Sequence, residues 1–229
     1  MDERAFLAAL QLADGTLPIG RFAHSYGLEA WLEANPEADG DELGLLVGAT
    51  LTCSVATLDG AAVALAHAAA ERGDLEELAL IDAALTARKL SEPARRASEL
   101  CGGRLAVLAR ELDAGQLVDD IAGRIARGEW AGNLALVEGT VGEGLGLGRE
   151  ATVLIALRGH AAALLSAAVR LGRLGTVRGQ VLLRELAPVL QRCARTALGV
   201  GRDQLRSTLP ELDIHAARHP ERDARLFIT

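Results

Sequence analysis

The sequence predicts an all-α fold, a single-domain bundle of about eight to ten helices joined by short loops. Apolar residues recur at helical spacing almost throughout, whereas the alternating β-branched runs that mark strands are missing. Hydrophobic residues make up 50% of the chain but aromatics only 3%, so Leu, Ala and Val must fill the core, which suits closely packed helices. A chain of 229 residues fits one domain of generous size, here read as residues 1–229 with a mobile C-terminal tail over about 219–229.

The first helix is expected over about residues 3–13, ending near Asp14-Gly15. A loop punctuated by Gly15, Pro18 and Gly20 follows. A second helix should run from about Ala23 to Glu33 and stop before Asn35-Pro36, because the residue before proline avoids the helical region. Asp39 with Glu42 three residues on forms a capping pair for a stretch reaching about Ala70, with a break near Asp59-Gly60. Asp74 with Glu77 repeats the pattern and starts a helix to about Ala87. Ser91 and Pro93 open another that ends near Leu112. A short helix spans Leu117 to Arg127, and Asn133 caps one that frays into Gly142, Gly144, Gly146 and Gly148. Over 149–170, Leu154, Leu157, Ala161, Leu164 and Ala168 recur at spacings of 3 and 4 and share one face. One helix is expected from Val177 to Leu198, and a last one from Pro210 to Arg218 leads into an exposed tail ending Arg225-Leu226-Phe227.

With 24 basic and 31 acidic side chains the formal charge is −7, which lacks the electrostatic footprint of nucleic-acid binding. Cys53, Cys101 and Cys193 lie far apart with no CxxC pair, so neither a disulfide framework nor a thiolate metal site is expected, and isolated cysteines usually behave as small core residues. Asp2 and Glu3 break any basic leader region. The most apolar segments carry Asp59, His67 and Arg158, and their uncharged runs are shorter than the roughly 20 residues a membrane span requires. The expectation is a cytoplasmic protein with no membrane contact.

No constellation carries catalysis convincingly. The Gly142–Gly148 stretch is not a phosphate loop: Leu147 stands where G-x-G-x-x-G needs glycine, and no GK[ST] follows. His24 and Ser25 are adjacent and would point about 100° apart on a helix, so they form no nucleophile–base pair by themselves. His215 and His219 sit four apart, the spacing of a metal pair, but Pro220 follows at once and two histidines near a helix end more often face solvent. Arg88, Lys89, Arg95 and Arg96 form one basic cluster, and Arg170, Arg173, Arg178 and Arg184 another; each is a solvated face or a site for an acidic protein partner.

The segment from Leu10 to Glu29, L-Q-L-A-D-G-T-L-P-I-G-R-F-A-H-S-Y-G-L-E, resembles the opening signature of the UreF family of urease accessory proteins. Three later segments agree in order: Arg88 to Leu108 resembles the middle helix, Ala167 to Leu183 the S-A-A-V-[KR]-L-x-P-L-G-x-x-x-G-Q segment, and Leu212 to Phe227 the closing motif. Departures occur at Arg173, where the family usually has Pro, at Thr176, usually Gln, and at His215 and Pro220.

The resemblance implies an all-helical protein that dimerises and is not an enzyme, with no cofactor of its own. It implies a scaffold that acts with UreD (UreH in some bacteria) and the GTPase UreG on apo-urease, delivering nickel and controlling when GTP is hydrolysed. The residues matching Phe22 and Arg225 are implicated in contact with UreG, and Arg170 matches a basic position linked to control of the GTPase. The other motif positions taken as partner-binding are Pro18, Gly20, His24, Ser25, Glu29, Gly175, Gln180, His219, Leu226 and Phe227. The alternative is a metallochaperone that carries nickel itself through His215 and His219.

Overall fold

The computed structural model describes residues 2–209, 211–218 and 226–227, and all regular structure among them is helical. Helix α1 (Glu3–Leu12) opens on Asp2, whose carboxylate accepts the Ala5 N–H at 2.7 Å. The helix expected over Ala23–Glu33 is replaced by a 3-10 turn, Arg21–Ala23, and a later α2 (Leu28–Ala34). The delay has a backbone cause, since Tyr26 (φ 54°) and Gly27 (φ 85°) both sit in the left-handed region. Gly27 is required there by a close approach: a Cβ would lie 2.2 Å from the Leu212 carbonyl of the last helix, α12 (Glu211–Arg218). The Trp31 indole N–H donates to Glu211 at 2.7 Å and ties α12 to α2 a second time.

Asp39 makes the expected capping box with Glu42 and opens α3 (Gly40–Thr50). The expected break at Asp59-Gly60 is absent. A π-helical segment, Leu51–Gly60, carries the chain without interruption into α4 (Ala61–Glu71), giving one helix over Gly40–Glu71. Gly60 keeps helical angles, and Asp59 is held by the Lys89 ammonium at 2.6 Å. The π segment also anchors a neighbour, because the Cys53 and Thr57 carbonyls accept the Thr208 and Arg206 N–H groups at 2.8 and 3.1 Å.

Helices α5 (Leu75–Arg88), α6 (Glu92–Glu111), α7 (Gln116–Ala126), α8 (Leu134–Gly144) and α9 (Arg149–Arg170) lie close to their expected bounds. Asp74 and Ser91 cap as expected, but Asn133 does not use its side chain as a cap. Its amide donates instead to Asp82 and Thr86, and the Ser98 hydroxyl accepts the Leu134 N–H in its place. The helix expected over Val177–Leu198 is divided into α10 (Thr176–Glu185) and α11 (Ala187–Leu198). Pro188 stands in the first turn of α11, where a missing N–H is tolerated. Counting Gly40–Glu71 once, eleven helices are present among the described residues, near the eight to ten expected.

The interior is built from α4, α8 and α9. Gly139 of α8 lets two backbones nearly touch: a Cβ there would fall 2.5 Å from the Val63 carbonyl and 2.8 Å from the Ala66 Cβ of α4. Leu157, Ala161, Leu164 and Ala168 of α9 are buried as expected, whereas Leu154 is only partly buried. Cys101 and Cys193 are buried and Cys53 is intermediate. Two helices, Gly40–Glu71 and Arg149–Arg170, are long and apolar enough to cross a membrane by length and composition, which corrects the sequence reading. The continuous π segment lengthens the first beyond what a break at Asp59 would allow. Most of each apolar window (67% and 56%) is buried against neighbouring helices, as in core helices of a bundle.

Candidate interaction site

The loop before α2 turns one way and then the other. Gly20 (φ 82°) leads into the 3-10 turn, and the space its Cβ would take is filled by the Arg104 guanidinium, 1.9 Å away. Pro18 is exposed, Gly20 is buried, and Phe22 projects with 64% of its surface in contact with solvent. His24 and Ser25 are buried in the extended stretch that follows. Burial, then the nearby Arg104 charge, holds His24 below its ordinary pKa, so the imidazole is neutral. The reading of these two residues as opening a helix is corrected by the left-handed Tyr26-Gly27 step, though the Ser25 carbonyl does accept the Leu28 N–H at 3.0 Å.

Arg170, the last residue of α9, binds this loop to the C-terminal segment. Its Nη1 donates to the Phe22 carbonyl, its Nε donates to the Ser166 carbonyl, and its guanidinium lies over the Phe227 ring at 4.4 Å. Burial pulls Arg170 below its ordinary pKa, although a guanidinium remains charged. Glu29 of α2, itself buried, accepts the backbone N–H groups of Leu226 (2.8 Å) and Phe227 (3.4 Å). Phe227 is only 4% exposed, so the exposed-tail expectation fails at that residue, while Leu226 stays exposed. Phe22, Glu29, Arg170, Leu226 and Phe227, spread over most of the sequence, thus meet at one corner.

Gly175 and Gln180 have no described contact with that corner. Gly175 holds the N-cap position of α10, and Gln180 is exposed on it. His219 and Arg225 lie outside the described residues, as does most of the proposed mobile tail. His215 is partly buried on α12, and no group of three metal-binding side chains occurs among the described residues.

Much of the basic surface is used internally. Arg173 donates to the carbonyls of Leu32, Asn35, Pro36 and Ala38, stitching the α2–α3 turn to the end of α9. Arg88 donates to the Leu205 carbonyl at 2.8 Å, Lys89 pairs with Asp59, and Arg95 donates to the Lys89 carbonyl at 2.6 Å. The glycine cluster terminates a helix as expected: Gly146 is left-handed, and the Leu147 N–H returns to the Gly142 carbonyl at 2.8 Å.

The family model for UreF matches residues 38–187. The chain belongs to the UreF family.

Curated relatives extend the match over both ends, including the opening and closing motifs. The urease accessory protein UreF of Bacillus sp. (strain TB-90) is 27% identical over 223 residues, covering 97% of this chain and 98% of the relative. That of Lachnoclostridium phytofermentans is 28% identical over 223 residues, with 97% and 98% covered. That of Yersinia enterocolitica is 29% identical over 229 residues, with 99% of each covered.

Behind the Phe22 loop this UreF-family fold holds a partly open cavity of about 110 Å³, mostly apolar in lining but with several ionisable side chains, that the sequence reading missed. Arg21, Tyr26, Asp59, Lys89, Glu138 and His160 face it, and Leu212, Asp213 and Ala216 of α12 border it. Burial drives His160 down to about 4 and pushes Tyr26 up, so both are neutral near pH 7. Their rings meet at 5.1 Å. A signal was present: Asp59 and Glu138 each interrupt an apolar helical run, which for a buried face requires a paired charge. Their partners, Lys89 and Arg21, are 30 and 117 residues away, beyond the reach of any spacing rule.

Proposed function

We propose that this urease accessory protein is a non-enzymatic scaffold and regulator of UreG in a UreD–UreF–UreG complex that inserts nickel into apo-urease. It acts in the cytoplasm as a homodimer, and the corner of Phe22, Arg170 and Phe227 contributes to the UreG contact. The observation that carries the reading is the placement of Phe22. A large aromatic side chain is held out to solvent while the carbonyl of the same residue is fixed by Arg170. Exposed aromatic and arginine groups on a rigid support are the usual anchors of protein interfaces. Preorganisation of the loop lowers the ordering entropy that binding would otherwise require.

Glu29 and Phe227 extend the support to the C-terminal segment, which is therefore part of the proposed interface. Neutral His24 and Ser25, buried beneath the loop, act through its shape and not by chemistry.

The test is co-expression with UreD and UreG, with and without the last eleven residues of the chain. The full chain is expected to capture both partners and the truncated chain to lose them. Capture of neither partner by the full chain would contradict the scaffold reading.

A further inference from the structure

Arg21 immediately precedes Phe22, and the two side chains go opposite ways. Phe22 is mostly exposed; Arg21 turns inward, with only 19% of its side chain accessible. It crosses α9 at Gly159, where a Cβ would lie 2.1 Å from Arg21 Nη1, and its Nη2 donates to Glu138 Oε1 on α8. Glu138 is itself 17% exposed on its side chain. The three-residue 3-10 turn that carries both Arg21 and Phe22 has little rigidity of its own, with the Ala23-to-Gly20 and His24-to-Arg21 backbone bonds inside it.

Desolvation is the largest influence on both charges. For Arg21 the Glu138 charge and hydrogen bond, with Tyr26 and Cys101, together outweigh it and the pKa is raised; for Glu138 the Arg21 charge and hydrogen bond do not, and the pKa is raised too. A buried pair of this kind is a poor source of net stability, because removing two ions from water offsets most of their attraction. What it does supply is direction.

We propose that Arg21 is a positioning residue for the partner contact: its buried pair with Glu138, reached through the gap at Gly159, sets the direction in which Phe22 projects. Arg170 fixes the Phe22 carbonyl from the outside, and Glu138 holds Arg21, the residue before it, from the inside. The loop is thereby held between α8 and α9, and rotation of the turn would require the Arg21 guanidinium to leave Glu138. The proposal rests on the reading that Phe22 contacts UreG.

Two variants of the full chain separate positioning from general stability. Arg21→Met with Glu138→Leu removes both charges and leaves neither buried alone. Gly159→Ala keeps both charges but places a methyl where the guanidinium passes. In each, amide exchange over residues 22–25 should rise about tenfold, as expected for a locally loosened turn, with the melting temperature changed by no more than about 2 °C. Capture of UreG, measured with UreD present, should weaken about fivefold through lost preorganisation. Adding Gly159→Ala to the double variant should change nothing more, since the atom that meets the methyl is gone.

Unchanged loop exchange in both variants overturns the proposal, as does a lowered melting temperature without faster loop exchange. Phe22→Ala is measured alongside. If it loses capture while the loosened variants keep theirs, the positioning role is wrong and the Phe22 contact stands. If Phe22→Ala keeps full capture, the partner reading fails, and loop exchange alone still decides whether Arg21 orients the turn.

Discussion

The contact between α4 and α8 and the corner at Phe22 are held by opposite means. At Gly139 two helix backbones approach so closely that a single methyl has no space, and the neighbours are a carbonyl and an alanine that have nowhere to move. At the corner, one guanidinium and one carboxylate hold backbone groups from two distant segments, the Phe22 loop and residues 226–227. Close apolar contact sets the overall shape and is intolerant of change. Directional bonds at the rim set the pose of a few side chains and contribute little to global stability. Substitutions should therefore divide cleanly, those in the interior acting on stability and those at the corner on partner capture.

The harshest way to break the interior is Gly139→Leu. Overpacking against a backbone carbonyl should lower stability by about 3 kcal/mol or more in urea unfolding. Partner capture should fall only as far as the folded fraction does.

Acid should test the cavity behind the Phe22 loop, which His160 lines. Burial holds His160 near about 4, against an ordinary 6.5. Between those values the unfolded chain takes up a proton that the folded chain refuses. Stability is therefore undiminished above pH 6.5 and falls as pH drops toward 4, by up to about 3 kcal/mol for this residue. Urea unfolding at pH 7 and pH 5 should show a smaller loss for His160→Gln than for the unaltered chain. An equal loss would mean the imidazole is not held neutral.

At the corner, Glu29→Gln weakens the acceptor for the Leu226 and Phe227 N–H groups. It should lower stability by about 1 kcal/mol, the size of a charge-assisted bond becoming a neutral one. Its effect on capture of UreG should be larger than that loss of stability accounts for. The smallest expected effect on stability belongs to Phe22→Ala, under about 0.5 kcal/mol for an exposed side chain.

The same division explains what the sequence revealed. Local rules were legible: the Asp39–Glu42 box, the Asp74 and Ser91 caps and the buried face of α9 all follow from spacing within a few residues. The opening motif drew attention to the loop that carries Phe22. The helix break expected at Asp59-Gly60 failed because a glycine in helical angles looks no different in sequence from one in a turn, and the charge of Asp59 is met by Lys89. The two-part helix at Pro188 was missed because proline is tolerated in a first turn as well as breaking a helix interior. The corner was only half legible. Phe22, Arg170, Glu29 and Phe227 were singled out one by one, but their meeting depends on pairs 148 and 198 residues apart. Arg21 was overlooked, since an arginine in a loop is ordinarily solvated.

The most direct measurement of the central claim is capture of UreG, with UreD present, by the unaltered chain and by Phe22→Ala at matched folded fraction. The account predicts an unchanged melting temperature and capture weakened about tenfold or more, as for an interface anchor. Equal capture by the two chains would contradict it and would move the partner contact away from this corner.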